Sequence, residues 1–152
     1  LYLGCAEGTS CSHVSDMVGN EGLVFGVDIS PQALMKFTHL AETRENMLPL
    51  LADANAPEKY APELEDFPIH TIVQDISQKN QAEIFLKNMK AFGKKGTQGY
   101  LVVKSRSVDF TRAPESVFKG IVKDVQAHIK IIQTVSLGKF EKDHFLIHGE
   151  WK

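Results

Sequence analysis

The sequence is poor in the residues that would tie it to a metal, an oxidised compartment or a membrane. Its 152 residues include two cysteines, Cys5 and Cys11, and a single tryptophan. Neither thiol has a second Cys or His pair at zinc-like spacing, so both read as reduced thiols of a cytosolic-type protein. His13 nearby leaves that set without a fourth ligand, and no metal is expected. No apolar run approaches the length of a membrane span, and no signal-peptide pattern is present. Charge of one sign is missing too. The 17 Lys and Arg stand against 19 Asp and Glu, a formal net charge of −2. That argues against a protein that grips nucleic acid unaided through a broad basic surface. It leaves room for local basic patches, or for a partner that supplies the grip. The chain opens at Leu1 inside a strand-like run rather than at a methionine, so an N-terminal segment is expected upstream of this numbering.

What remains is ordinary for one globular domain with a substantial core: 43% hydrophobic and 24% charged residues. Residues 1–152 are read as a single domain, without repeat, low-complexity segment or linker. Apolar runs alternate with helical patterns. "LYLGCAEGTS" is a short strand, a turn with Gly4 and Gly8, and a helix start. "GLVFGVD" predicts a buried strand over Gly22–Asp28, and Pro31 opens a helix reaching about Arg44 with Leu34, Phe37, Leu40 and Ala41 on one face. "MLPLLAD" (Met47–Asp53) predicts a strand weakened by Pro49. Pro57, Pro62 and Pro68 then predict loop with at most one short helix. A strand over Ile69–Asp75 precedes a helix over Gln78–Phe92, with Ile84, Phe85, Met89 and Phe92 inward. After a strand over Tyr100–Ser105, a helix over Ala113–His128 carries Val117, Ile121, Val125 and Ile129 at intervals of four. Two last strands, Lys130–Leu137 and His144–Trp151, are read as an antiparallel edge pair. The sum is an α/β fold with a mainly parallel sheet and helices on both faces.

In such sheets ligands sit outside the carboxyl ends of the strands. These ends fall at Gly4, Asp28, Asp53, Asp75 and Lys104. Taken singly, Asp28 or Asp53 reads as a cap or turn former, and Lys104 as a solvated strand end. Taken together, at matching places, they read as a site. Asp28 follows Gly8 at about the 20-residue offset from which a carboxylate accepts from ribose hydroxyls. "GCAEG" lacks the third glycine of a dinucleotide fingerprint, and Glu7 would repel a pyrophosphate. A nucleoside without phosphates suits the loop better, and S-adenosylmethionine is the common one.

"LYLGCAEGTSCSHVSDMVGNEGLVFGVDIS", "LLADANAPEKY", "QDISQ", "VVKSRSVDFTRAPESVF" and "FEKDHFLI" resemble, in order and over essentially the whole chain, the fibrillarin family of box C/D ribonucleoprotein 2′-O-methyltransferases. "KSRSVD" and "EKDH" look more like the archaeal form. The resemblance implies a class I S-adenosylmethionine-dependent methyltransferase fold, Rossmann-like, with Gly4 in the methionine-moiety loop. By position it implies Thr9 and Ser10 at the cofactor's amino-acid end, Asp28 and Ile29 at the ribose and adenine, and Asp53 with Ala54 at the adenine edge. Asp75, Ile76, Ser77 and Gln78 would lie along the cofactor near its methyl. Asp75, Lys104 and His144 match three members of the family's Lys-Asp-Lys-His catalytic set, and the first lysine would lie upstream of Leu1. Cys5 and Glu7 replace smaller residues, and Asp28 stands where the family often has Glu.

The implied reaction is methylation of a ribose 2′-hydroxyl in rRNA or tRNA. Lys104 would orient or deprotonate the hydroxyl, Asp75 would hold Lys104, and His144 would position the hydroxyl or a flanking phosphate. Implied partners are a guide RNA, a target RNA, a scaffold protein and, through it, a kink-turn-binding protein, with no membrane. The compartment implied is the cytoplasm for an archaeal form and the nucleolus for a eukaryotic one. Arg106, Arg112, Lys119 and Lys123 form either a phosphate-binding edge or a solvated helix face. Partner docking is expected near Tyr60 or on the helix after Gln78. Two other classes stay open at this point: a stand-alone methyltransferase of another substrate, and a non-catalytic nucleoside- or partner-binding module.

Overall fold

Phe37 shows how the first part of the chain is built. Its ring is fully buried, and a Cβ on Gly26 or Gly8 would lie 2.7 or 2.8 Å from it. Glycine at these two positions therefore makes space for the ring, and Gly8 also adopts φ +94°, a conformation that disfavours other residues. The computed structural model describes residues 1–152, which form two compact units, Leu1–Phe67 and Pro68–Lys152.

The first unit contains β1 (Tyr2–Leu3), α1 (Thr9–Val18), β2 (Val24–Asp28), α2 (Pro31–Ala41) and β3 (Met47–Leu51). Its strands are parallel in the order β3-β2-β1, with Tyr2 opposite Gly26 and Asp28 opposite Leu51. Central β2 is buried over Val24–Val27, the near-continuous apolar run of a covered parallel strand. Pro49 is tolerated in β3, which in this unit pairs only with β2. Ser30 caps α2 by accepting from the Ala33 N–H at 3.2 Å, and Pro31 takes the first helical position. The proline-rich segment forms two 3₁₀ turns, Pro57–Lys59 and Ala61–Leu64, where at most one short helix is expected. Tyr60 and Leu64 are buried between and within them, while Glu58, Lys59, Pro62 and Glu63 around them are exposed.

The second unit contains β4 (Thr71–Gln74), α3 (Gln81–Phe92), β5 (Gln98–Lys104), α4 (Ser105–Val108), α5 (Pro114–Gln126), β6 (Ile129–Ser136) and β7 (His144–Trp151). Its strand order is β4-β5-β7-β6, parallel between β4 and β5 and antiparallel along β5-β7 and β7-β6. The expected antiparallel final pair is present. Ile84, Phe85 and Met89 of α3 and Val117, Ile121 and Val125 of α5 are buried, as their spacing requires. Ile129 is buried as well, but it opens β6 rather than extending the helix. The single turn of α4 is too short to leave a periodic signal.

Candidate functional site

In the first unit, the strand ends expected to hold a nucleoside are bound up with local turns. The Asp28 side chain, half-buried, accepts the Ser30 N–H on Oδ1 and the Ala6 N–H on Oδ2, each at 2.9 Å. It thereby ties the turn after β2 to the loop after β1. Asp53 accepts the Asn55 N–H at 2.8 Å on Oδ1 and is exposed, with Ala54 half-buried beside it. Both carboxylates thus perform the turn-forming role, and both keep acceptor capacity, since a carboxylate oxygen has two lone pairs. Gly4 is left-handed, φ +83°, and its N–H is bonded to the Val27 carbonyl at 2.9 Å. Thr9 and Ser10 are exposed in the first turn of α1, which begins at Gly8 with no side-chain cap and no acidic residue. The unbonded first-turn N–H groups and the helix dipole make that end receptive to a carboxylate. Ile29 is exposed next to Asp28. Glu7 pairs with Lys36, so the repulsion expected from it is partly offset.

In the second unit the expected catalytic residues converge. Lys104 Nζ lies 2.8 Å from Asp75 Oδ1, with side chains only 22% and 28% exposed. The contact is an ion pair off the angle of a well-aligned hydrogen bond, since Oδ1 is buried and accepts no aligned donor. Ser77 Oγ accepts from the same ammonium at 3.4 Å. His144 stands directly opposite Lys104 across β5 and β7, which puts both side chains on one face. Its Nδ1 contacts the Lys142 carbonyl at 2.8 Å and its Nε2 the Glu141 carboxylate at 3.1 Å, so both nitrogens face acceptors. Ile76 is half-buried and Gln78 exposed.

Two glutamines that the sequence reading passed over support this cluster. Gln81, fully buried at the start of α3, accepts the Lys104 N–H at 3.1 Å and donates to the Lys104 carbonyl at 3.4 Å. Gln74, also fully buried, donates to the Gln81 carbonyl at 2.8 Å, while its own Oε1 has no partner. Polar residues at the inner end of a strand and the first turn of a helix were the only signal available for this. Of the basic residues, Arg106 pairs with Asp143 at 2.9 Å and Arg112 bonds the Ser116 hydroxyl at 3.0 Å, while Lys119 and Lys123 are exposed on α5.

Alternating strands and helices with ionisable groups at the strand ends define the class: this is the α/β fold of S-adenosylmethionine-dependent methyltransferases. A methyltransferase from Aquifex aeolicus, 16% identical, matches it with a TM-score of 0.71 over 99% of this chain and 80% of its own, a likeness of fold alone. Within that class the chain belongs to the fibrillarin family, whose model matches residues 1–152. A fibrillarin-like rRNA/tRNA 2′-O-methyltransferase of Thermococcus sibiricus is 42% identical over 97% of this chain and 64% of its own length. Aeropyrum pernix fibrillarin, solved with natively bound S-adenosyl-L-methionine, is 33% identical with a TM-score of 0.86, over 97% of this chain and 64% of that one. The fibrillarin of a fibrillarin/Nop5p complex is 39% identical with a TM-score of 0.94, over 99% of this chain and 71% of that one. The chain thus spans just under two thirds of the length of the curated relatives it matches, 64% for the first.

Proposed function

We propose that the chain is the methyl-transferring part of a box C/D guide ribonucleoprotein, acting on a ribose 2′-hydroxyl of rRNA or tRNA with S-adenosylmethionine as donor. The residues of the first unit fit that cofactor. The uncapped start of α1 at Thr9 and Ser10 suits an amino-acid carboxylate. Asp28, after accepting two backbone N–H groups, keeps a lone pair on each oxygen for ribose hydroxyls, and Ile29, Asp53 and Ala54 flank the adenine. When bound, the cofactor supplies an electrophilic methyl group on a sulfonium.

The second unit handles the hydroxyl. Held by Asp75, the Lys104 ammonium is a hydrogen-bond donor, so it orients the attacking oxygen. Ser77 confines the ammonium from another side, and Gln81 fixes the backbone that carries it. As the new carbon–oxygen bond would form, the methyl–sulfur bond would break to leave a neutral thioether, and the hydroxyl proton would pass to solvent water. His144, on the same face, positions the hydroxyl or a neighbouring phosphate, and Ile76 and Gln78 border the methyl.

Recognition of the target is assigned to the guide RNA and a scaffold protein, with a kink-turn-binding protein bound through the scaffold. The observation that carries the reading is the Lys104–Asp75 ion pair at the ends of two adjacent parallel strands, in a chain matched throughout by the fibrillarin family. The test is single-turnover transfer of labelled methyl by the full-length protein reconstituted with guide, target and scaffold. Lys104→Ala is expected to abolish transfer while leaving cofactor affinity nearly unchanged. A normal single-turnover rate in that variant contradicts the assignment.

A further inference from the structure

Behind the Lys104–Asp75 ion pair, the second unit buries a polar side chain that its packing does not need. Side chains alternate along a strand, so Ile72 and Gln74 of β4 share a face with Gly99, Leu101 and Val103 of β5. That face is the one α3 covers, since a Cβ on Gly99 would lie 2.6 Å from the ring of Phe85. Asp75 and Lys104, each one residue further along, meet on the opposite face. Between strands and helix, Ile72, Ile84, Phe85, Leu101 and Val103 are buried and apolar, whereas Gln74 is a fully buried amide. Its Nε2 donates to the Gln81 carbonyl at 2.8 Å, and no protein group donates to its Oε1.

Stability does not explain the amide. As a residue of α3, Gln81 has a carbonyl that takes the helical N–H four positions on, so Gln74 is a second donor to a group already satisfied. An unpaired buried acceptor, by contrast, is unfavourable. A methionine or leucine at this position would meet the same apolar neighbours without it. A buried polar group kept at such a cost beside a site points to a role in the site. What Gln74 holds is the residue that clamps Lys104. Gln81 accepts the Lys104 N–H at 3.1 Å and donates to the Lys104 carbonyl at 3.4 Å. It opens α3, and helix ends fray; its N-cap, Asn80, makes no side-chain capping bond. The Gln74 amide anchors that uncapped start. Three hydrogen bonds thus lead from the residue before Asp75, through Gln81, to the backbone of Lys104.

We infer that Gln74 is a positioning residue for the proposed reaction. Acting through Gln81, it fixes the end of β5 against the end of β4, and so the placement of the Lys104 ammonium on the Asp75 carboxylate. It works from the far face of the sheet and touches neither cofactor nor target. The inference rests on the methyl-transfer reading above and adds to it the buried amide that sets the ion pair.

The test uses the full-length protein in the reconstituted particle, as Gln74→Met, Gln74→Leu, and Gln74→Met combined with Gln81→Leu. Methionine matches the amide in length and removes both polar atoms. For Gln74→Met the single-turnover rate at saturating target is expected to fall about threefold to tenfold, the order of one hydrogen bond. The KM for target RNA and the cofactor affinity are expected to stay at the wild-type values, and the denaturation midpoint to stay level or rise. The combined variant is expected to be no slower than Gln81→Leu alone, because the two glutamines act in series. Exchange of the Lys104 amide hydrogen, followed by NMR, is expected to quicken by a similar factor in both Gln74 variants. A wild-type rate with unchanged Lys104 exchange in both overturns the inference, and so do losses that add in the combined variant. A lower midpoint accompanied by weaker cofactor binding also overturns it, by showing a general loosening of the fold. If the wild type transfers no methyl while Gln74→Met still quickens the Lys104 exchange, the proposed activity falls and the clamp stands.

Discussion

Cys5 and Cys11 are both buried and both free, in the loop and first turn that follow β1. The hydrogen bond of the Cys5 thiol to Cys11, then burial, then the nearby Asp28 charge push its pKa well above the usual thiol range. A thiol held neutral is a poor nucleophile. The native protein is therefore expected to resist alkylation at pH 8, and to expose two reactive thiols once denatured. The same shift links stability to pH. Because the pKa is raised in the folded state, the stabilisation is complete below the unfolded thiol's pKa of about 8.5. It is lost progressively as the pH climbs above that value, since unfolding then releases a proton. Urea midpoints between pH 7 and pH 10 should fall more steeply for the wild type than for Cys5→Ala. Parallel curves, or rapid labelling of the native protein, would contradict this account.

At the scale of elements, the junction between α3 and β5 is where packing becomes chemistry. Gln81 opens the helix and bonds both the N–H and the carbonyl of Lys104, so the last residue of the strand is held by the first residue of the helix. Gln81→Leu leaves those groups unpaired inside the protein, at a cost of about 1–3 kcal/mol. A lower denaturation midpoint and slower methyl transfer are expected, with cofactor affinity unchanged; an unaltered midpoint and rate would remove Gln81 from this role. None of this clamp was legible in the sequence, because it joins positions far apart in the chain through a buried polar side chain. What was legible follows from periodicity. The buried run of β2, the spacing of Val117, Ile121 and Val125, and the antiparallel end of the chain each impose one conformation to bury an apolar face. The ionisable strand ends were legible for the same reason, since a strand's end is defined once its run is found. Gly8 and Gly26 show the opposite case. Gly8, with Gly4, marks a ligand-type loop in sequence, yet in the fold it faces the ring of Phe37, as Gly26 of β2 also does, a partner no local pattern reveals.

For the molecule as a whole, charge decides how far it can act alone on RNA. Neutralising phosphates dominates non-specific binding, and here 17 cations face 19 acids. Five of those cations, Lys36, Arg44, Lys87, Lys104 and Arg106, are already paired with carboxylates of the same chain. The cations that remain are too few to select a strand by themselves. Affinity of this chain for guide or target RNA at near-physiological salt should therefore stay in the weak, non-specific range, with Kd about 10⁻⁴–10⁻⁶ M. It should fall further as salt rises, and tighten greatly when the scaffold protein and guide are added. Fluorescence anisotropy with a cognate and a scrambled target, with and without the scaffold, measures both effects. Because the chain spans 64% of its first relative, that full-length relative belongs in the same titration as a comparison. Submicromolar, sequence-selective binding by the 152-residue chain alone would contradict delegation of target choice. It would require a stand-alone RNA methyltransferase, with selectivity built into the loops around Lys104 and His144 rather than borrowed from a guide.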